Sequence, residues 1–262
     1  MYLVLILFNL IIMITKELIQ TLENAKHLCI FTGAGISAES GIPTFRDTIS
    51  GLWENFNVEE IASVEAFKKN KDLWFWYEAR RRDIMNVHPN AAHVAIAKMA
   101  KKLKITVITQ NVDDLHERAL LEENADVELI HLHGTLNQPR CFNDACAEPY
   151  CYTNEDDFNE NAHAPVCLKC GDSIRPGVVW FNELLPEALW ERAKQSSINC
   201  DVMLVIGTSL EVYPASELPY LARLNGAICI NVNPTIAQEH LFQFKIVGKA
   251  AELLPKLNDA FN

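Results

Sequence analysis

The chain has 262 residues, 49% hydrophobic and 22% charged, with 34 acidic against 23 basic side chains and a formal net charge of −11. That length suits one large core, or a core plus a small insert, and the balance is that of a soluble globular protein. So acidic a chain lacks the clustered Lys and Arg that general nucleic-acid binding uses to neutralise phosphates.

Residues 1–14 are nearly all apolar. As a helix they would reach roughly 21 Å, short of the ~30 Å hydrocarbon layer, so no membrane span is expected. They have no basic flank and no Ala-x-Ala cleavage site, which argues against a secretory signal. Met13 opens Met-Ile-Thr-Lys-Glu-Leu-Ile, a soluble start, and residues 1–12 read as an apolar extension upstream of it. Eight cysteines without a secretory signal point to a reducing compartment, and a cytoplasmic location is expected.

Residues 14–26 read as a helix, with Leu18, Ile19 and Leu22 at helical spacing. An apolar strand, residues 27–32, then breaks at Gly33 and Gly35, and with Ala38 the run satisfies the Gly-x-Gly-x-x-Gly/Ala form of a dinucleotide loop. Glycines there permit a tight turn and a close approach of backbone N–H groups to a pyrophosphate, which a following helix N-terminus favours. A dehydrogenase would continue into a crossover helix and a second strand ending in an acid. Here Gly41 and Pro43 stop the helix early, and an irregular segment with Arg46, Asp47 and Gly51-Leu52-Trp53 follows. That departure argues against simple hydride transfer and for a loop folding over the cofactor.

Residues 57–85 read as helical and irregular, with Trp74-Phe75-Trp76-Tyr77 ahead of Arg80-Arg81-Arg82. Pro89 is expected in the first turn of a helix reaching about Leu103. Four more apolar runs, residues 105–111, 128–134, 202–209 and 227–234, end in polar loop-forming residues. Short apolar runs alternating with helices predict an α/β fold, a Rossmann-like, mostly parallel sheet with helices on both faces. Ligands of such sheets bind outside the carboxyl ends of the strands.

Between Gly134 and Trp180 the pattern changes to Cys141-x4-Cys146, Cys151 and Cys167-x2-Cys170. Two close pairs about twenty residues apart suit a closed, tetrahedral zinc site, and Cys141, Cys146, Cys167 and Cys170 are the expected ligands. Cys146-x4-Cys151 has the same spacing, so the first pair is open, and a redox Cys-x-x-Cys is the alternative. Four thiolates with no open position would make one structural Zn2+, clamping a segment too small to bury its own core. Cys29, Cys200 and Cys229 lie in or beside apolar runs and read as packed thiols.

Taken together, Gly33-Ala34-Gly35-Ile36-Ser37 with Pro43-Thr44-Phe45-Arg46, Thr109-Gln110-Asn111-Val112-Asp113, His131-Leu132-His133-Gly134, the cysteine pairs, Gly207-Thr208-Ser209 and Asn231-Val232-Asn233 resemble a sirtuin, in the family's order and across most of the chain. The resemblance implies an NAD-consuming protein-lysine deacylase with acylated-lysine proteins as partners. It divides the chain into an NAD-binding domain (residues 13–44, 90–136 and 178–262), a helical cofactor-loop and acyl-recognition segment (45–89) and a zinc-binding module (137–177). It implies that Gly33, Ala34, Gly35, Phe45 and Arg46 surround the phosphates and nicotinamide ribose, with Ser37 and Trp53 also given to the cofactor. Gln110, Asn111 and Asp113 match the ribose and nicotinamide-amide contacts; Gly207, Thr208, Ser209, Asn231 and Asn233 match the adenosine side, with Ala250 a further carry-over. His133 matches the catalytic histidine, suited to act as a base because its pKa lies near working pH. His131, read as facing the other side of the strand, is expected to be structural.

Tyr77 and Arg80, three apart, would share a helix face. They resemble the Tyr-x-x-Arg pair of the sirtuin subclass that removes succinyl and malonyl groups, and members with this pair often remove acetyl too. A guanidinium grips a carboxylate through paired hydrogen bonds, and a phenol can add a third. Val178 and Phe181 are expected to pair with the substrate backbone, though Asn182 stands where the family has glycine. Rival readings are protein ADP-ribosyl transfer and a non-catalytic NAD sensor.

Overall fold

A computed structural model describes residues 14–44, 60–151 and 164–261. The expectations for residues 1–12 and for Phe45, Arg46 and Trp53 fall outside the described residues.

The first helix, α1 (Lys16–Asn24), starts where the Thr15 side chain accepts the Leu18 amide at 3.1 Å, and it buries Leu18 and Leu22. Strand β1 (His27–Thr32) follows. After it come two short 3-10 turns, Ala34–Ile36 and Ala38–Ser40, rather than the α-helix N-terminus that the dinucleotide pattern implied. Gly41, at φ +93°, closes the second turn. The next helices are α2 (Val64–Lys69) and α3 (Leu73–Met85), then α4 (Ala91–Met99). Pro89 lies ahead of α4 because Asn90 takes the capping role, its side chain accepting the Ala92 amide at 2.9 Å. The same side chain donates to the Ile36 carbonyl at 2.7 Å, tying α4 to the glycine loop.

Strand β2 (Lys104–Thr109), helix α5 (Leu115–Glu122) and strand β3 (Glu128–His131) complete the first half of the sheet. A two-stranded antiparallel excursion, β4 (Arg140–Cys141) with β5 (Ile174–Arg175), carries the cysteines. The chain returns through α6 (Glu187–Ile198), β6 (Val202–Ile206), α7 (Leu218–Leu224), β7 (Ile228–Asn233), β8 (Phe244–Val247) and α8 (Ala250–Phe261).

The six-stranded sheet runs β3-β2-β1-β6-β7-β8, and every pairing is parallel. Without the excursion this is the doubly wound order 3-2-1-4-5-6, whose crevice opens between β1 and β6. One face buries Leu28, Ile30, Val107 and Leu204 with Leu18, Ile96 and Leu254 from α1, α4 and α8; the other buries Phe31, Met203, Val205 and Cys229 with Ala193 and Leu218. Cys29, Cys200 and Cys229 are buried, as expected of packed thiols. A third cluster, Phe67, Trp74, Tyr77, Cys141, Ile174, Val178 and Trp180, joins α2 and α3 to the excursion.

At the crevice the loops after β1 and β6 touch. The amides of Gly33 and Gly35 donate to the Ile206 and Gly207 carbonyls at 3.0 and 2.8 Å. A Cβ on Gly35 would stand 2.7 Å from the Gly207 Cα, and one on Gly207, itself at φ +61°, 2.4 Å from the Ile36 nitrogen. Both neighbours are backbone and cannot swing aside. Gly207→Ala is therefore expected to destabilise the fold by about 1–3 kcal/mol through overpacking and backbone strain. Thermal unfolding would show it as a lowered midpoint; an unchanged one would contradict this account.

Candidate active site

The strand ends place most of the expected residues together. The Ser37 hydroxyl lies fully buried, donating to Asp113 Oδ2 at 3.0 Å and accepting from Asn111 Nδ2 at 3.1 Å. Asp113 Oδ1 accepts the Leu115 amide at 3.1 Å, so the carboxylate also caps α5. Burial raises the Asp113 pKa, partly offset by those two donors. Gln110 bridges the crevice, its side chain donating to the Thr208 hydroxyl at 3.0 Å, and Asn233 donates to the Thr208 carbonyl at 2.8 Å. Ser209 follows on the same loop, and Ala250 is buried at the start of α8, where Glu39 accepts the Ala251 amide at 3.1 Å.

His133 is fixed at both ends. Its Nδ1 lies 3.0 Å from the Gln110 carbonyl, and its own carbonyl accepts the Val179 amide at 2.8 Å. A carbonyl only accepts, so Nδ1 carries the proton and Nε2 keeps a free lone pair. Burial lowers the His133 pKa, which favours this neutral, basic form at working pH.

His131 departs from expectation. Residues two apart along a strand share a face, so it does not point away from His133. Strand β3 ends at His131, and its Nδ1 meets the Asn111 carbonyl at 3.1 Å. The two histidines thus hold successive carbonyls of one loop.

Beneath the loop lie residues that the sequence reading missed. His116 Nε2 is 3.1 Å from the Thr32 hydroxyl, which donates to Thr109 at 2.8 Å. The His93 and His116 rings meet at 4.9 Å between centroids. Burial pushes His93 down to about 3 and His116 well below its ordinary value, so both are neutral supports. Their only signal was a pair of histidines inside apolar helices, indistinguishable by spacing from core positions.

The crevice fits a dinucleotide on two observations. Asn231 is 1% exposed, yet neither side-chain polar atom has a hydrogen-bond partner, an arrangement costing about 1–3 kcal/mol unless a ligand or water supplies one. The glycine loop is bare of side chains where a Cβ would fill it.

On the substrate side, Val178 bridges Gly134, while Phe181 is 42% exposed and gives its amide to the Ala62 carbonyl at 3.0 Å. Asn182 sits at φ +68°, the left-handed region in which asparagine can replace glycine. Tyr77 is buried. Its hydroxyl donates to the Ile61 carbonyl at 3.1 Å and accepts from Trp180 Nε1 at 2.9 Å. Burial raises its pKa. Arg80 is half-buried, with its guanidinium 3.4 Å from the Trp76 ring centroid and Nη1 donating to the Trp76 carbonyl at 3.0 Å. Among the described residues no carboxylate forms an ion pair with it, whereas Arg81, Arg118 and Arg175 each have one.

Cys141, Cys146, Cys167 and Cys170 bring their sulfurs within 4.8 Å of one another, with Cys141–Cys170 at 3.4 Å and Cys146–Cys167 at 3.8 Å. A tetrahedron of ~2.3 Å Zn–S bonds needs sulfurs about 3.8 Å apart, so the donor set fits zinc. Amides of Cys170 and Lys169 lower the Cys167 pKa to about 7, which favours a thiolate ligand. Cys151 is exposed and outside the group.

A doubly wound sheet with a bare glycine loop, an orphaned amide, a neutral histidine and a four-cysteine clamp defines a nucleotide-using enzyme with a built-in structural metal site. The chain belongs to the Sir2 family, whose pattern matches residues 33–214. It is 44% identical over 253 residues to an NAD-dependent protein deacylase of Methylococcus capsulatus, covering 94% of this chain and 96% of the relative. It is 43% identical to NAD-dependent protein deacylase 1 of Pseudomonas aeruginosa, covering 92% and 97%. A solved Sir2 homolog–NAD complex superposes with a TM-score of 0.84 at 39% identity, covering 94% and 93%. Sir2Af2 bound to a myristoylated histone peptide gives 0.72 at 36%, covering 93% and 94%.

The clamp is expected to hold one zinc per chain by elemental analysis. Cys170→Ser should lose the metal and lower the unfolding temperature, while Cys151→Ser should keep both. Zinc loss in the Cys151 variant would reassign the ligand set.

Proposed function

We propose that this protein removes short acyl chains ending in a carboxylate, succinyl and malonyl, from lysine side chains of proteins, with acetyl-lysine as a second substrate. As a Sir2 family member the chain is an NAD-dependent protein deacylase, with one structural zinc. The acyl preference is our own reading, and Arg80 carries it. A half-buried guanidinium that forms no ion pair among the described residues, with the Asp83 carboxylate near enough only to raise its pKa, lies close enough to the Tyr77 phenol for each to shift the other's pKa. An acyl carboxylate would complete that pair through charge-assisted bonds. The Tyr77 hydroxyl would then exchange its Ile61 partner for the substrate, while Trp180 keeps donating to it.

NAD, when bound, supplies a ribose that accepts the acyl group and a nicotinamide that leaves. We assign the residues of this chain supporting roles around it. The glycine loop admits the phosphates, and Asn231 offers its unpartnered amide. Gln110, Asn111, Asp113 and Ser37 orient the sugar and the amide within one interlocked set. His133 receives a proton at Nε2, the nitrogen that the Gln110 carbonyl leaves free. The residues near Val178 and Phe181 present backbone to the peptide. Acylated-lysine proteins are the proposed partners, without direct nucleic-acid binding. The chain is proposed to act in the cytoplasm, where eight cysteines persist without forming a disulfide. The three-part division into NAD-binding domain, helical segment and zinc module is proposed on the separate third core cluster.

His133→Ala is expected to cut peptide deacylation by about a hundredfold or more, the range of a lost general base, with the unfolding midpoint retained. Unchanged turnover would reject its role. Arg80→Met should lower kcat/KM for succinyl-lysine at least about tenfold more than for acetyl-lysine, matching the worth of a charged hydrogen bond. Equal losses on both peptides would remove the acyl reading and leave the deacylase reading intact.

A further inference from the structure

His131 has two hydrogen-bonding partners, and both are acceptors. Its Nδ1 faces the Asn111 carbonyl at 3.1 Å, and its Nε2 lies 2.7 Å from Glu117 Oε1 on α5. A neutral imidazole has only one N–H. Both contacts are satisfied only if the His131–Glu117 pair holds one extra proton between Nε2 and Oε1. We propose that His131 and Glu117 form a positioning pair whose shared proton locks the loop of residues 110–113 onto strand β3, and that losing this proton sets the alkaline limit of NAD use.

The placement supports a role beyond packing. The loop carries Gln110, Asn111 and Asp113, and its carbonyls at 110 and 111 take the two histidine contacts in succession. Glu117 lies in the first turn of α5, the helix whose opening Leu115 amide is held by Asp113. A proton lost from the pair leaves one N–H between two acceptors, so the loop gives up either the tie at the carbonyl of Asn111 or the tie to Glu117 near the helix start. The other Glu117 oxygen is buried without a hydrogen-bond partner, the side chain as a whole is 43% exposed, and His131 is its ion-pair partner among the described residues.

The charged groups facing His131 are Glu117 from α5 and Asp113 from the loop; burial opposes its charge, but the Glu117 hydrogen bond and charge, the Asn111 carbonyl and Asp113 together raise its pKa. His116, also on α5, is buried and neutral. On β3 itself Glu128 is turned to Arg192 of α6, at 2.8 Å. Because the pKa is raised, the lock is present below the ordinary histidine value and is lost as pH rises through the folded value. His133 works in the opposite sense: its pKa is lowered, so it becomes a competent base on the acid side. The two histidines would bound one activity window from opposite ends.

The inference rests on NAD meeting this loop, and the test separates that premise from the pair itself. Side-chain 15N–1H spectra of the full, zinc-loaded chain report whether His131 is doubly protonated, whether or not the enzyme turns over. Kinetics of nicotinamide release from NAD with an acetyl-lysine peptide then give kcat/KM for NAD against pH. Glu117→Gln keeps the shape and an acceptor but removes the charge, and is expected to move the alkaline limb down by about one pH unit. His131→Asn is expected to abolish that limb while KM for NAD rises more than kcat falls. A purely structural role would lower activity at all pH values without moving the limb. A His131 ring already neutral at pH 6.5, or a limb that stays in place in both variants, overturns the proposal.

Discussion

The contact on which the rest depends is the meeting of two bare loops at the reversal point of the sheet. Gly33 and Gly35 after β1 donate to the carbonyls of Ile206 and Gly207 after β6, closing the backbones to a separation that admits no Cβ. The glycines of a dinucleotide loop are commonly credited to the approach of a pyrophosphate. Here they are also needed before any ligand arrives, because they let adjacent strand ends come together. The Thr208 hydroxyl is thereby brought within reach of Gln110, and the Thr208 carbonyl within reach of Asn233. Four strand ends become one polar floor, made mostly of short hydrogen bonds between neighbouring loops.

Much of this was legible from spacing. The central strands declared themselves as apolar runs ending in polar residues, because strands buried on both faces have no alternation to blur the signal. The cysteine pairs were equally clear, but Cys146 and Cys151 share one spacing, and only the fold separates the gathered thiol from the exposed one. Pro89 falls two positions before the first helical residue, Ala91, because Asn90 outcompetes it at the helix start with a real side-chain cap. The helix expected after the glycine loop dissolves into 3-10 turns, as Gly41 and Pro43 hinted. Strand β8 escaped because Phe244–Val247 is short and half exposed, leaving a weak period.

What the sequence hid most thoroughly is pairing across elements. Nothing in the spacing of His131 and Glu117 separates an ion pair from two solvated side chains, since one ends a strand and the other lies within a helix. An alternating strand would already set His131 and His133, two residues apart, on one face, so placing them on opposite sides misread the period. The ladder ends at His131 and the chain turns, and both rings reach the same loop.

The acyl end of the site obeys a different constraint. Arg175 is 1% exposed and forks onto Glu183 at 2.6 and 2.8 Å, with a further bond to the Val178 carbonyl at 3.0 Å and Trp180 stacked at 3.6 Å from its guanidinium. Breaking such a pair from one side typically costs about 3–5 kcal/mol, since a charge is left buried alone. Glu183 also accepts the Trp180 amide at 2.8 Å, and Trp180 in turn donates to the Tyr77 hydroxyl. The segment proposed to offer Val178 and Phe181 to a peptide is therefore braced by the same ion pair that sets the ring against Tyr77. Helix α3, bearing Arg80, shares that core, so the groups proposed to face the acyl end and those proposed to face the peptide backbone cannot shift independently. On the proposed reading, selectivity for the acyl chain and alignment of the lysine that carries it become properties of one packed unit.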